Sequence, residues 1–315
     1  MSIPLIVVAG PTASGKTSLA IALAKHYNGE VVSADSMQIY RGMDIGTAKP
    51  TVEEMDGIKH HLIDFLPPQE EYSVAEYVKD AADCIADIIS RGKTPIIAGG
   101  TGLYIRSLIT GTQFEEIASD EALRQALYEQ VASDEGRDAL YAELSAIDPE
   151  SAARIHKNNT IRLVRAVEVY RLTGKTMTKL QEESRMTASP YHPVAFIGLD
   201  CKDRALLYDR INRRVDIMVE SGLLEEAGQV LSMEQKPTAY QAIGYKELES
   251  YFTGEQSLDE ALERLKQSSR RYAKRQLTWF RREEGITWLF REDYPTDKEL
   301  SEAAIRTVDA VFMKK

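Results

Sequence analysis

Apolar residues along this chain keep two rhythms. Six short runs rich in β-branched residues, Ile3–Ala9, Glu30–Ala34, His61–Asp64, Thr94–Ala98, Val194–Leu199 and Thr287–Phe290, read as buried strands. Between them apolar residues return at helical spacing. Thr17 to Tyr27 reads as one helix. Val74 to Arg91 reads as another, with apolar residues at 74, 78, 81, 82, 85, 88 and 89 on a single face. This alternation predicts an α/β fold, a parallel sheet with helices on both faces. Ligands of such sheets sit beyond the carboxyl ends of the strands.

The strand rhythm stops at about Gln113 and resumes after Pro190. Asp120–Ala132, Gly136–Ile147, Pro149–Ile155 and Thr160–Gly174 read as helices, with Asp148-Pro149 as a turn and helix start. An all-helical domain, 113–190, is therefore expected inside an α/β core made of 1–112 and 191–315. Residues 203–233 and 257–283 are expected to return as long helices. No internal repeat or low-complexity segment is visible.

A length of 315 residues suits a core with a second unit. No apolar run approaches membrane-spanning length. The apolar start lacks a basic flank and leads straight into a glycine-rich turn, so it does not read as a signal peptide. Cys84 and Cys201 form neither a disulfide framework nor a zinc spacing. They fit a reducing cytosol as small core residues. A cytoplasmic protein with no membrane partner is the expectation. The net charge of −10 argues against indiscriminate nucleic-acid binding. Two locally basic stretches, Arg154 to Lys179 and Arg264 to Arg282, run against that average and offer a polyanion its footing.

The most specific signal is Gly10-Pro11-Thr12-Ala13-Ser14-Gly15-Lys16-Thr17, between the first strand and the first helix. It fills every fixed position of a phosphate-binding loop and predicts a P-loop NTPase-like core. Backbone N–H groups of such a turn converge on phosphate oxygens. Lys16 adds a point charge, and the Thr17 hydroxyl can hold Mg²⁺. Asp35, after the second strand, faces the same crevice. It reads as a general base or metal partner, or as a loop-capping Asp. Gln38 can hydrogen-bond an adenine edge.

Gly99-Gly100-Thr101-Gly102 follows the fourth run, and its glycines permit close backbone approach to a ligand or a tight strand-to-helix connection. An ordinary P-loop NTPase carries a metal-binding Asp after such a strand. Asp64 and Asp200 end other runs, so the departure weakens the hydrolase reading without removing it. Arg210 and Arg214 share a helix face, as a clamp for a leaving phosphate or as a solvated surface. Arg162 and Arg165 share another, with Lys157 and Asn158 just ahead. Between 269 and 282, Arg271, Lys274, Arg275 and Thr278 fall on one helix face, and Tyr272, Gln276 and Trp279 on another. Such cations suit RNA, whereas Trp279 and Phe280 read as core.

In this order the motifs resemble those of tRNA dimethylallyltransferases, also called tRNA isopentenyltransferases, and the resemblance runs nearly end to end. It is carried by 10–17, Asp35 to Tyr40, Gly46-Thr47-Ala48-Lys49-Pro50, Gly99 to Tyr104, Arg162 to Tyr170, Arg210 to Arg214, Gln241-Ala242-Ile243-Gly244-Tyr245-Lys246-Glu247 and Arg271 to Phe280. No zinc-finger tail of the eukaryotic type is seen, so a bacterial form is expected.

The resemblance implies transfer of a dimethylallyl group from dimethylallyl diphosphate to N6 of adenosine 37 in tRNA, with release of pyrophosphate. It implies Asp35 as general base, Thr101 on the other side of the reacting amine, and Lys16 at the leaving group. Residues Gly10 to Thr17 with Arg210 or Arg214 would hold the diphosphate, and Mg²⁺ would sit at Thr17. Asp35, Ser36, Met37, Gln38, Thr101, Arg162, Arg165, Arg271, Lys274 and Arg275 would contact the tRNA. A monomer is expected. The competing readings are a small-molecule or nucleotide kinase using ATP, and a nucleotide-switched RNA-binding protein. The first leaves the helical insert unexplained. The second lacks the guanine-reading Asn-Lys-x-Asp sequence of a GTP switch.

Overall fold

A computed structural model describes residues 3–112, 114, 120–185, 188–233 and 238–313. The chain forms two compact units, one of Met1–Ile109 with Pro190–Lys315, the other of Thr110–Ser189. The expected domain boundary at Gln113 lies outside the described residues.

The first unit runs β1 (Ile3–Ala9), α1 (Lys16–His26), β2 (Gly29–Ser33), α2 (Val52–Met55), β3 (His60–His61), α3 (Val74–Ser90), β4 (Thr94–Gly99) and α4 (Gly102–Ile109). The second unit holds α5 (Glu121–Gln130), α6 (Asp134–Ile147), α7 (Pro149–Arg154), α8 (Thr160–Thr173) and α9 (Met177–Arg185). The first unit then resumes with β5 (Tyr191–Asp200), α10 (Arg204–Glu220), α11 (Leu223–Leu231), α12 (Glu249–Phe252), α13 (Leu258–Phe280), β6 (Ile286–Phe290) and α14 (Asp297–Phe312).

The strands form one sheet in the order β3-β2-β4-β1-β5-β6, and every neighbouring pair is parallel. Side-chain alternation along β1 builds both faces. Leu5, Val7 and Ala9 join Tyr77, Ile85 and Ile88 of α3 and Tyr104, Ile105 and Leu108 of α4 on one side. Ile6 and Val8 join Leu19 and Leu23 of α1 and Leu300, Ala304 and Val308 of α14 on the other. Burial on both faces explains why these strands read as continuous apolar runs. A third cluster, including Ile39, Tyr40, Met43, Val215, Leu223, Tyr245 and Leu265, packs α10, α11 and α13 beneath the loops that follow β2. The second unit has its own core, with Leu127, Leu140, Leu144, Leu163, Val164 and Val167.

Three expectations are corrected and two helices are added. The run His61–Asp64 yields only the two-residue β3, because Leu62 and Asp64 take φ of 56° and leave the extended region. The single helix over 203–233 is two, α10 and α11, parted at Gly222 with φ 100°. β5 begins at Tyr191 rather than Val194. Pro193 lacks the N–H that a strand interior uses, and the pairing shifts register opposite Ile3 and Leu5 instead of ending. α14 has no counterpart in the sequence reading. A capping box, Thr296 with Glu299, starts it, and Leu300, Ala304 and Val308 recur along its buried face. α9 was not foreseen either; among its described residues none is fully buried, and Met177 packs only partly against the second unit's core.

Candidate active site

β2, β4 and β1 lie side by side with their carboxyl ends level, Ser33 pairing with Ala98 and Ala9 with Gly99. The loops that follow them therefore open on one crevice. Two bonds continue the ladder past the strands: the Ala34 N–H donates to the Ala98 carbonyl at 2.8 Å, and the Thr101 N–H to the Ala34 carbonyl at 3.0 Å.

The loop after β1 is shaped by its neighbours. A Cβ on Gly10 would stand 2.5 Å from the Leu199 carbonyl oxygen at the end of β5. Ala13 sits in the left-handed region at φ 61°, which costs an L-residue about 1–2 kcal/mol. Arg210 Nε donates to the Ala13 carbonyl at 2.9 Å and braces that residue. Lys16 Nζ donates to the Pro11 carbonyl at 2.7 Å, curling across the loop. The Ser14 hydroxyl is buried with no hydrogen-bond partner among the described residues, an open polar atom inside the cradle. The Thr12 N–H is already taken, by Gln276 Oε1 at 2.9 Å.

The crevice is a cleft of about 270 Å³. Thr12, Lys16, Thr17, Asp35, Ser36, Gln38, Arg214, Tyr272, Arg275 and Gln276 supply its polar side. Ile211, Val215, Met218, Ala242, Ile243 and Leu265 supply an apolar wall that the sequence reading did not foresee. Burial pushes the Lys16 ammonium down to about 8, opposed by the Asp35 carboxylate and reinforced by Arg214. Burial likewise lowers Arg214, while Glu54 and Asp35 oppose it and Arg210 adds to it. Arg214 and not Arg210 lines the cleft, so the two arginines divide into one that faces the ligand space and one that braces the loop.

Asp35 is held by its own turn: Oδ1 accepts from the Met37 N–H at 3.0 Å and the Gln38 N–H at 3.4 Å. Thr101 Oγ1 accepts from the Ser36 N–H at 3.0 Å and donates to Ser36 Oγ at 3.3 Å, which ties the turn after β4 to the turn after β2. Tyr272 enters from α13. Burial first, then the Asp35 carboxylate, holds its phenol well above the usual range, so it stays a donor. Gln38 Nε2 donates to the carbonyls of Thr47 at 3.3 Å and Ala48 at 3.0 Å.

The glycines of the second turn make room for protein. A Cβ on Gly99 would lie 2.1 Å from the Ala34 carbonyl oxygen, on Gly100 2.1 Å from Gln276 Nε2, and on Gly102 2.1 Å from Trp279 Cδ1. The neighbours that demand glycine are thus β2's following turn and the buried face of α13. Gln276 Nε2 donates to the Gly100 carbonyl at 3.0 Å while its oxygen holds Thr12. One buried amide thereby joins α13 to both loops.

The helical face assigned from periodicity is the one observed. Arg271, Lys274, Arg275 and Thr278 are exposed, whereas Gln276 and Phe280 are buried and Tyr272 and Trp279 half-buried. With Trp279 and Arg282 these cations border a second hollow of about 400 Å³. Arg162 and Arg165 belong to the second unit, both exposed on α8. Arg165 donates to the buried Glu168 at 2.8 Å, as does Arg124 at 2.8 Å, so Arg165 already has an anionic partner. Both cysteines are free, Cys201 buried and Cys84 half-buried.

Comparison with known proteins places this geometry. The IPP transferase family model matches residues 38–283. Over 306 residues the chain is 50% identical to the tRNA dimethylallyltransferase of Bacillus subtilis (strain 168), covering 96% of each. The chain belongs to the tRNA dimethylallyltransferases. Membership makes it an enzyme of the prenyltransferase class, of the bacterial type. It is 48% identical over 308 residues to the tRNA dimethylallyltransferase of Thermoanaerobacter sp. (strain X514), covering 97% of this chain and 98% of that one. Its fold is similar to the crystal structure of the tRNA isopentenylpyrophosphate transferase from Bacillus halodurans, with TM-score 0.72, 46% identity and 98% of each chain covered. It also resembles a eukaryotic dimethylallyltransferase acting on tRNA, with TM-score 0.81 and 30% identity over 100% of this chain and 81% of that one.

Proposed function

We propose that this tRNA dimethylallyltransferase uses dimethylallyl diphosphate as donor and N6 of adenosine 37 as acceptor. One observation carries the reading: a phosphate loop and a carboxylate share a cleft with an apolar wall of Ile211, Val215, Met218, Ala242, Ile243 and Leu265. A hydrolase or kinase needs the first two. An allylic donor also needs somewhere dry for its hydrocarbon.

In this reading the adenine N6 attacks C1 of the allyl group. The C1–O bond breaks, its electron pair leaves with pyrophosphate, and Asp35 takes the proton that N6 gives up. The exocyclic amine is a weak nucleophile because its lone pair is delocalised into the ring. A positioned base typically contributes about 10²–10⁴-fold. The loop N–H groups, Lys16 and Arg214 hold the leaving charge, where preorganised donors act most strongly. Arg210 acts through the loop. Thr101 and Ser36 flank the amine without taking an N–H, and Gln38 accepts the N–H that Asp35 does not.

Magnesium fits the donor set. Thr17 offers a hydroxyl at the cleft, beside the loop that would hold the diphosphate. A hard cation of this kind keeps few protein ligands and takes the rest from phosphate and water. Bound there, it would neutralise diphosphate charge. Among the described residues no cluster of three or more His, Cys, Asp or Glu suits a protein-caged metal. For tRNA, Arg271, Lys274 and Arg275 present exposed cations next to the cleft, and Arg162 and Arg165 add cations on the second unit. The target base must leave its stack to reach the cleft.

The test is direct. Labelled dimethylallyl diphosphate, Mg²⁺ and unmodified tRNA should give label on the RNA, mapped to position 37, and free pyrophosphate. ATP consumption with unlabelled RNA would instead support a kinase, and slow nucleotide turnover without an RNA product a switch.

A further inference from the structure

Two motifs, 46–50 and 241–247, each lend residues to the lining of the cleft. The structure stacks them on each other. A Cβ on Gly46 would lie 2.7 Å from the Tyr245 ring. Gly244, at φ 122°, brings its own Cβ position to 3.3 Å from Gly46 Cα. Lys49 is spent inside the loop: its Nζ donates to the Tyr40 carbonyl at 2.7 Å and to Asp64 Oδ1 at 2.6 Å.

A single carboxylate binds the stack. Glu226, on α11, accepts from the N–H groups of Asp44 and Ile45 on Oε2 at 2.8 and 2.9 Å, and from Gly46 on Oε1 at 2.8 Å. The Tyr245 hydroxyl donates to the same Oε1 at 2.8 Å. Successive N–H groups turned to one anion form a nest, a strong way to fix a loop. The far end of that loop faces the cleft through its carbonyls. Those of Thr47 and Ala48 accept from Gln38 Nε2, and that of Ala48 also from Arg214 Nη2 at 3.3 Å. Ala48 keeps the left-handed φ of 54° that turns its carbonyl this way. Carbonyls only accept, so the Gln38 amide has one permitted orientation, nitrogen to the loop and oxygen to the cleft.

We propose that Glu226 is a positioning residue: by holding loop 44–48 it fixes the Gln38 amide so that its carbonyl oxygen alone meets the substrate base, as an acceptor for an exocyclic N–H. An amino-purine is thereby favoured and a 6-oxo purine, which presents an acceptor there, is rejected. The inference rests on the transfer reaction proposed above.

A double-mutant cycle on kcat/KM for tRNA tests it, with Glu226→Gln, Gln38→Ala and the pair. Each single change is expected to lower kcat/KM about tenfold or more. The pair should be no worse than Gln38→Ala, because Glu226 would act through Gln38. KM for the donor should move less than KM for tRNA. Tyr245→Phe, which removes a single bond to Glu226, gives a milder member of the series whose folding is less at risk, and it should likewise vanish in the Gln38→Ala background. Additive losses, or an unchanged kcat/KM in both Glu226→Gln and Tyr245→Phe, overturn the assignment while leaving the reaction intact. A parent chain that puts no label on tRNA overturns the reaction and this inference with it.

Discussion

Asp35 and Lys16 can be told apart by what their loss should do. Asp35→Asn keeps the turn's acceptor oxygen but cannot take a proton. Single-turnover transfer should fall about 10²–10⁴-fold while the tRNA dissociation constant changes little. Equal losses in both would remove the base assignment. Lys16 should show itself in pH. Burial has brought its ammonium down to about 8. A diphosphate binds the charged form. KM for the donor should therefore be flat below that pH and rise above it, approaching about tenfold per unit. Lys16→Met should weaken binding throughout and abolish the step. At this scale the sequence was generous where a motif fixes the residue order, as in 10–17, and it left Asp35 open between a base, a metal partner and a turn cap. It was silent on the division between Arg210 and Arg214, because two arginines one turn apart differ only in which neighbour the fold sets before them. Gln276 was invisible as a functional residue for the same reason. Nothing in a helical face says that an amide will meet the Thr12 N–H on one side and the Gly100 carbonyl on the other.

Secondary elements with buried faces were legible, since burial is what writes periodicity into sequence. The exceptions have specific causes. Positive φ at Leu62 and Asp64 ended a strand that composition would have continued. α9 has only partly buried residues among those described, such as Met177, and so leaves a faint pattern. α14 did carry a signal, the Thr296 and Glu299 capping box ahead of an apolar stripe. That cap yields a prediction for the element alone. Thr296→Ala should cost about 0.5–2 kcal/mol of stability, seen as a lower urea midpoint. Transfer per folded molecule should be unchanged, because α14 packs on the sheet face through Leu300, Ala304 and Val308, away from the cleft lining. A matching loss of activity at full folding would mean that α14 does more than cover the sheet.

Taken as a molecule, the protein sets a net charge of −10 against a local row of exposed cations on α13. Affinity for tRNA should then fall with salt at a slope set by the number of phosphates these cations meet. Lys274→Ala should weaken binding and reduce the slope of log K against log salt by about 1 if it meets a phosphate. An unchanged slope would mean that this lysine is merely solvated.

The Gln276 amide gives that cationic helix a second consequence. Because the same helix reaches the phosphate loop and the Thr101 turn through one side chain, the proposed seat for the leaving group and the proposed RNA face would be joined by a single amide. A substitution that tilts α13 to suit another RNA would also retune the grip on the donor. The two substrate constants should drift together across variants of this helix, so selectivity for one partner is not a free parameter of the other.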